Sequence, residues 1–369
     1  MTEEITNRIY GCLIGGAIGD ALAAPVEGWS HERIKREYGR IDEFMKIHRI
    51  SAKDSPGAVT ADTTLRHYVA YAVAEKGRRV TPDDVAEVLV EHLNQDRVWV
   101  NSEILVKKLS AGVNPWTAGQ GAISNTKVMA AIVPIGIVNA CNPEQAFQDG
   151  FNIGSLFQSA HDRDAAATVA AGVAEALSPD ATVERVLTTM TSYASSIVYR
   201  AIDLAMGIAE ESGTVDEFIQ QYYDRMLDWR WPAVQWDREK YRQGRVFSAS
   251  SLESLPVAVA ILWLCDGDVN QSIIEGTRYG RDSDAVAGVA GGIAGALSGA
   301  DEIRVDWIED CEAANTDLFE ELSGEPEANF RAMADRLVDV LKNERVRAGE
   351  REEQLGRLLG DTNESLPDR

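Results

Sequence analysis

Apolar residues recur along this chain at helical rather than alternating spacing. Between residues 62 and 76, Leu65, Tyr68, Val69, Ala72 and Val73 trace one face of a helix. The same period predicts helices over 82–95, 127–141, 143–157, 164–177 and 181–211, and again over 215–227, 253–266, 268–279, 284–298 and 327–346. Thr81-Pro82-Asp83-Asp84 marks a helix start, with a hydroxyl cap, proline at the first helical position and acids in the first turn. Residues 7–24 form a further apolar segment in which Gly11, Gly15 and Gly19 fall at every fourth position. That spacing makes a smooth helical face against which another backbone can pack closely. Strand patterns are nearly absent, and short loops rich in Gly, Pro, Ser and Asp separate the helices. The expectation is an all-α protein with one helical domain over 1–345. A charged C-terminal extension, 346–369, prolongs the last helix and is partly disordered. Residues 226–245, which hold Trp229, Trp231, Trp236 and Tyr241 among charged residues, read as an insertion that packs on the bundle or stacks a base or sugar.

Composition narrows the partners. A formal charge of -23 repels nucleic acid and anionic membranes, although a metal or local backbone amides can still neutralise a phosphate-bearing small ligand. Cys12, Cys141, Cys265 and Cys311 form no CxxC pair and lie in apolar or helix-like surroundings, which reads as buried free thiols in a reducing compartment. Residues 9–26 are mostly apolar, but Glu3 and Glu4 stand where a signal peptide carries basic residues, and Asp20 interrupts the run. No stretch reaches the ~20 uninterrupted apolar residues of a bilayer span, so a cytoplasmic location without a membrane partner is expected.

Three acidic clusters then demand an account: Asp20 with Glu27, Thr60-Ala61-Asp62-Thr63, and Asp282-Ser283-Asp284-Ala285. Each sits where a Gly- or Pro-containing turn meets a helical pattern. Taken singly, Thr60, Asp62, Asp282 and Asp284 read as helix caps. Asp20 is harder to dismiss, because a charge inside an apolar helix costs several kcal/mol unless it is paired. Together the clusters offer carboxylates and hydroxyls but no histidine, a donor set that suits Mg²⁺ or Mn²⁺ better than Zn²⁺.

Five segments, in order, give the chain a family resemblance. They are Gly11 to Leu22 with Pro25-Val26-Glu27, Val59 to Thr63, Ser159-Ala160-His161, Ser254-Leu255-Pro256, and Gly280 to Ala287 with the Gly-rich run that follows. The chain resembles the ADP-ribosylglycohydrolases, which include the dinitrogenase reductase-activating glycohydrolase and the ADP-ribosyl-arginine and ADP-ribosyl-serine hydrolases. The resemblance implies a compact orthogonal helical bundle with a dinuclear Mg²⁺ or Mn²⁺ site. It places Thr60, Asp62 and Asp284 on one metal and Asp282 and Asp284 on the other. It puts Glu27 at the catalytic glutamate position, with Asp62 and Asp284 beside it, and Asp20 near the substrate. Gly119, Gly121, Ser124 and Asn125 resemble the loop that wraps the ADP-ribose phosphates, and His161 falls on a pocket position, where a plain helix cap is the alternative.

Four departures qualify the implied activity. Ala61 stands where the family has the first Asp of its Thr-Asp-Asp motif, and Ala285 where it has a Thr. Thr126 and Met129-Ala130 replace the usual continuation of the phosphate loop. Each implied metal thus lacks one ligand. Ala61 is either an introduced inactivating change or the mark of a natural branch with one metal or altered chemistry. The expected function is metal-dependent hydrolysis of the glycosidic bond of a small-molecule or protein-linked ADP-ribosyl group or related ribosyl nucleotide. A nucleoside or nucleotide N-glycosidase and a catalytically silent ADP-ribose-binding protein are the alternatives.

Overall fold

The computed structural model describes residues 2–46, 55–228, 250–324 and 328–359. The tryptophan-rich segment with Trp229, Trp231, Trp236 and Tyr241 lies outside the described residues. Among the described residues the regular elements are helices, and the one β feature is an isolated antiparallel bridge between Ser30 and Gly280. In chain order the α-helices are α1 (Thr2–Ala23), α2 (His31–Glu37), α3 (Ala61–Lys76), α4 (Pro82–His92), α5 (Val100–Ser110), α6 (Lys127–Ala131), α7 (Val133–Val138), α8 (Pro143–Phe157) and α9 (Ala160–Ala176). There follow α10 (Val183–Tyr193), α11 (Ser196–Glu211), α12 (Val215–Asp228), α13 (Ser251–Leu264), α14 (Val269–Tyr279), α15 (Ser283–Ser298), α16 (Val305–Ala314), α17 (Thr316–Ser323) and α18 (Phe330–Leu359).

The glycine period of α1 finds its partner in α15. A Cβ on Gly11 would stand 2.4 Å from the carbonyl oxygen of Gly295, one on Gly15 2.6 Å from that of Gly291, and one on Gly19 2.3 Å from that of Ala287. The two helices therefore run antiparallel with their backbones in contact. By length and composition Glu3–Val26 can cross a bilayer, Asp20 notwithstanding, yet 94% of its apolar window is buried inside the bundle. It is the central helix of the core, and the seam brings its C-terminal end beside the start of α15.

Several expectations change in detail. The segment 127–141 is two short helices that meet at Ile132, because Pro134, in the first turn of α7, has no N–H to give to the turn before it. The segment 181–211 breaks at Ala194, whose backbone is extended (φ -60°, ψ 136°), and restarts after Ser195. Helices α2, α5, α16 and α17 are additions to the predicted set. The thiols are free, but only Cys12 and Cys311 are buried. Cys141 is exposed at a left-handed turn (φ 66°) between α7 and α8, and Cys265 is partly exposed.

Candidate active site

The acidic clusters meet where three helix-related turns converge. Thr60 caps α3, its side chain accepting from the Asp62 amide at 3.2 Å, and Asp282 occupies the cap position of α15. Both helix starts carry partial positive charge that favours the carboxylates gathered there. Glu27 ends a one-turn 3₁₀ helix, Ala24–Val26, and is held against the third cluster by backbone: Gly28 N–H donates to Arg281 O at 2.6 Å, and Arg281 N–H donates to Trp29 O at 2.7 Å. This pairing requires glycine at 280, where φ is +76° and a Cβ would lie 2.5 Å from Trp29 O.

Glu27, Asp282 and Asp284 are buried and present carboxylate oxygens within 4.8 Å of one another, a group that can hold a metal ion. The fit rests on the donors: hard anionic oxygens, close enough to share one ion and shielded from water. Ser254 on α13 donates its hydroxyl hydrogen to Asp282 Oδ2 at 3.0 Å and orients that carboxylate. Asp20 faces α3 instead. Its Oδ2 accepts from the amides of Thr60 and Thr63 at 3.1 Å each, so it joins the first cluster to the second. Burial, with the Asp62 and Asp284 charges, pushes the Asp20 carboxyl up to about 7 against the pull of the Thr63 and Thr60 hydrogen bonds. Asp282 is raised well above the usual carboxylate range, by burial first and then by Asp284 and Asp62.

Asp62 lies apart from that trio. Its Oδ1 receives the ammonium of Lys127 at 2.6 Å, and only 3% of the Asp62 side chain and 16% of the Lys127 side chain are exposed. Burial disfavours the ammonium, but Asp62, Asp284 and Asp282 outweigh it and hold the Lys127 pKa above its ordinary value. Lys127 was not anticipated from sequence. The available signal was its place at the first position of α6, where a cation opposes the helix dipole and so needs a nearby anion. A second buried cation, Arg66, lies on the α1 side and donates to Leu13 O at 2.9 Å and to Thr63 Oγ1 at 3.3 Å. Ala61 and Ala285 are buried beside the cluster and supply no oxygen from their side chains.

Beyond Lys127 opens a pocket of mixed character. Leu65, Leu105 and Phe157 line its apolar part, and Lys108, Gly121, Asn125, Lys127 and Gln158 its polar part. The predicted phosphate loop forms one wall, and its residues have distinct parts. Gly119 is packed on α8, where a Cβ would lie 2.4 Å from Gln158 N, so its need is for close approach. Gly121 sits at φ +72° and lines the pocket. Asn125 also lines it, while its Oδ1 accepts from the Lys127 amide at 3.2 Å. Ser124 is exposed outside the lining. His161 lies in the first turn of α9 with Nε2 3.5 Å from Asp162 Oδ1; Asp162 in turn accepts from Ser251, one turn of α13 before Ser254. Asp162 and Asp282 thus both accept from serines of α13, Ser251 and Ser254.

Comparison with known proteins agrees with this architecture. The chain is 23% identical over 334 residues to the uncharacterized protein YegU of Escherichia coli (strain K12), covering 84% of this chain and 93% of that one. It is 26% identical over 325 residues to an uncharacterized protein of Archaeoglobus fulgidus, covering 84% and 92%. A solved structure described as an ADP-ribosylglycohydrolase-related protein complex superposes with a TM-score of 0.62 at 18% identity, over 92% of this chain and 99% of that one, which establishes the fold. The ADP-ribosylglycohydrolase family profile matches residues 1–346, and the chain belongs to the ADP-ribosylglycohydrolase family.

Proposed function

We propose that this protein is a glycosidase that hydrolyses the bond between an ADP-ribosyl group, or a related ribosyl nucleotide, and its acceptor, with Mg²⁺ or Mn²⁺ as cofactor. The observation that carries the reading is the convergence of buried Glu27, Asp282 and Asp284 near a pocket whose lining includes Lys127, the partner of Asp62. Asp282 and Asp284 would hold the ion, and Thr60 and Asp62 belong to the donor set that the family resemblance assigns. When bound, a divalent ion supplies a chelating Lewis acid for the vicinal hydroxyls of a ribose.

The rest is work for this chain's own side chains. Glu27 accepts a proton from the attacking water, or gives one to the leaving group. The surplus of carboxylates stabilises the oxocarbenium character that develops at the anomeric carbon. Ser254 keeps the Asp282 oxygens turned inward. The pocket residues Lys108, Gly121 and Asn125, with the apolar wall of Leu105 and Phe157, would bind the nucleotide portion and fix the ribose beside the centre. Asp20 supports the site from behind through the Thr60 and Thr63 amides, and His161 keeps the substrate-binding position that the family resemblance gives it.

A cytoplasmic setting and a small-molecule or protein-linked substrate, rather than nucleic acid, complete the proposal; the charge of -23 and the free thiols support it. The test is direct. ADP-ribosyl-arginine, ADP-ribosyl-serine and free nucleotides are incubated with the protein in millimolar Mg²⁺ or Mn²⁺, and released product is measured by chromatography. Turnover that disappears in Glu27→Gln supports the reading. Tight ADP-ribose binding with no turnover of any substrate replaces it with a silent binder.

A further inference from the structure

We infer that the Lys127 ammonium stands in one of the two cation positions that the family resemblance implies, so that this site takes a single divalent ion on Asp282 and Asp284, beside Glu27. The inference rests on the metal-dependent reading above, but it concerns the number of ions and not the reaction.

Three observations lead to it. The carboxylate assigned to one metal, Asp62, is already engaged, with Lys127 Nζ at 2.6 Å from its Oδ1 and both side chains nearly enclosed. A divalent ion on that oxygen would stand against a fixed positive charge in a poorly screened site. The remaining donors on that side are depleted. Ala61 brings no carboxylate, which leaves beside Asp62 the neutral Thr60 hydroxyl, and that oxygen also accepts from the Asp62 amide at 3.2 Å. The opposite side loses only a neutral hydroxyl at Ala285 and keeps the carboxylates of Asp282 and Asp284 with Glu27 beside them. All three present oxygens within 4.8 Å of one another, a spacing compatible with one ion at roughly 2.0–2.6 Å from each of its ligands.

Charge balance points the same way. With all five carboxylates ionised, Lys127 and Arg66 leave an excess of three negative charges, which one divalent ion nearly offsets and two would overturn. The loss of a carboxylate at 61 and the presence of an ammonium at 127 are thus complementary: one fewer anion, one resident cation. Lys127 also lines the pocket, and its ammonium keeps N–H groups beyond the one given to Asp62. The ammonium can therefore orient a substrate oxygen by hydrogen bonding, as a point charge that needs no loading.

Ion counting tests this apart from activity. The chelator-stripped protein is titrated with Mn²⁺, stoichiometry is read by calorimetry, and the spectrum is recorded by low-temperature EPR. The expected result is one ion per chain with an isolated six-line signal, lost in Asp282→Asn. Lys127→Ala combined with Ala61→Asp should add a second equivalent and an exchange-coupled signal. Two ions on the unaltered chain overturn the inference, as does a native chain that binds none, or a folded double variant that gains none. The two readings fail separately. A protein that binds two ions and cleaves substrate keeps the hydrolase and loses the resident ammonium; one that binds a single ion and cleaves nothing does the reverse.

Discussion

Two buried polar clusters lie side by side at the start of α15, and they are built on opposite terms. In one, the guanidinium of Arg281 pairs with Glu253, with Nη2 to Oε2 at 2.9 Å and a second bond from Nε to Oε1. The Tyr279 hydroxyl donates to the same carboxylate at 2.7 Å, and the Tyr223 hydroxyl donates to Tyr279 O at 2.6 Å. One cation meets one anion and hydroxyls complete the network. In the other, beginning one residue later, Asp282 joins Asp284, Glu27, Asp20 and Asp62 against only Lys127 and Arg66. Adjacent residues thus serve different ends. The balanced cluster fixes the Gly280 turn, and the unbalanced one keeps a demand for positive charge that a folded chain alone does not meet.

The largest expected effect breaks the unbalanced side. Glu27→Gln keeps shape and hydrogen-bonding capacity but loses the proton acceptor, and kcat should fall by about 10²–10⁴-fold while thermal unfolding is little changed. Turnover and Tm measured on the same preparation check it; retained kcat would exclude Glu27 as the base. Breaking the balanced side should do the opposite. Glu253→Gln leaves Arg281 buried without its counter-charge, and urea unfolding should show a loss of about 3–5 kcal/mol.

A third buried group separates burial from crowding of like charge. His67 is enclosed on α3 with its ring 4.2 Å from that of Phe319, and burial, helped by the Arg66 charge, depresses its pKa to about 3. A folded pKa below the unfolded value of about 6.5 means that the stability is complete above pH 6.5 and lost as the pH falls toward 3. His67→Leu should therefore remove on the order of 3 kcal/mol of the acid-side decline between pH 6.5 and 4, read from denaturant midpoints across that range. The smallest effect has the reverse sign. Asp282→Asn relieves one crowded carboxylate and should raise the stability of the chelator-treated protein by about 1 kcal/mol at pH 8, while abolishing function. A decrease in that midpoint would show that repulsion is not what the cluster stores.

Much of this was legible in the sequence because its signals are local. The every-fourth glycines announced a close backbone contact, and Gly291 and Gly295 supply the other side of it. The acidic clusters announced a centre, since carboxylates at two helix starts and inside an apolar helix need a shared reason. What escaped reading is relational. Lys127 is an ordinary lysine until packing of α3 and α6 sets it on Asp62, and Glu253 is an ordinary first-turn acid until Arg281 turns toward it. The break at Ile132 follows from the missing N–H of Pro134, whereas nothing in Tyr193-Ala194-Ser195 forbids a continuous helix, and only the packed structure decides it. The paired roles of Thr60, as cap and as family-assigned metal donor, show why single clusters read equally well as caps: the same oxygen atoms serve both purposes.

The α1–α15 seam also sets a timetable. It joins Gly15 to Gly291, so at roughly 5–20 residues per second a ribosome needs on the order of tens of seconds between making one half and the other. Until then α1, the most apolar long helix described here, has no glycine face to meet, and Glu27 has no Asp282 beside it. During synthesis that helix has to be sheltered by other contacts, and a metal ion held by Asp282 and Asp284 could not nucleate folding before α15 is made.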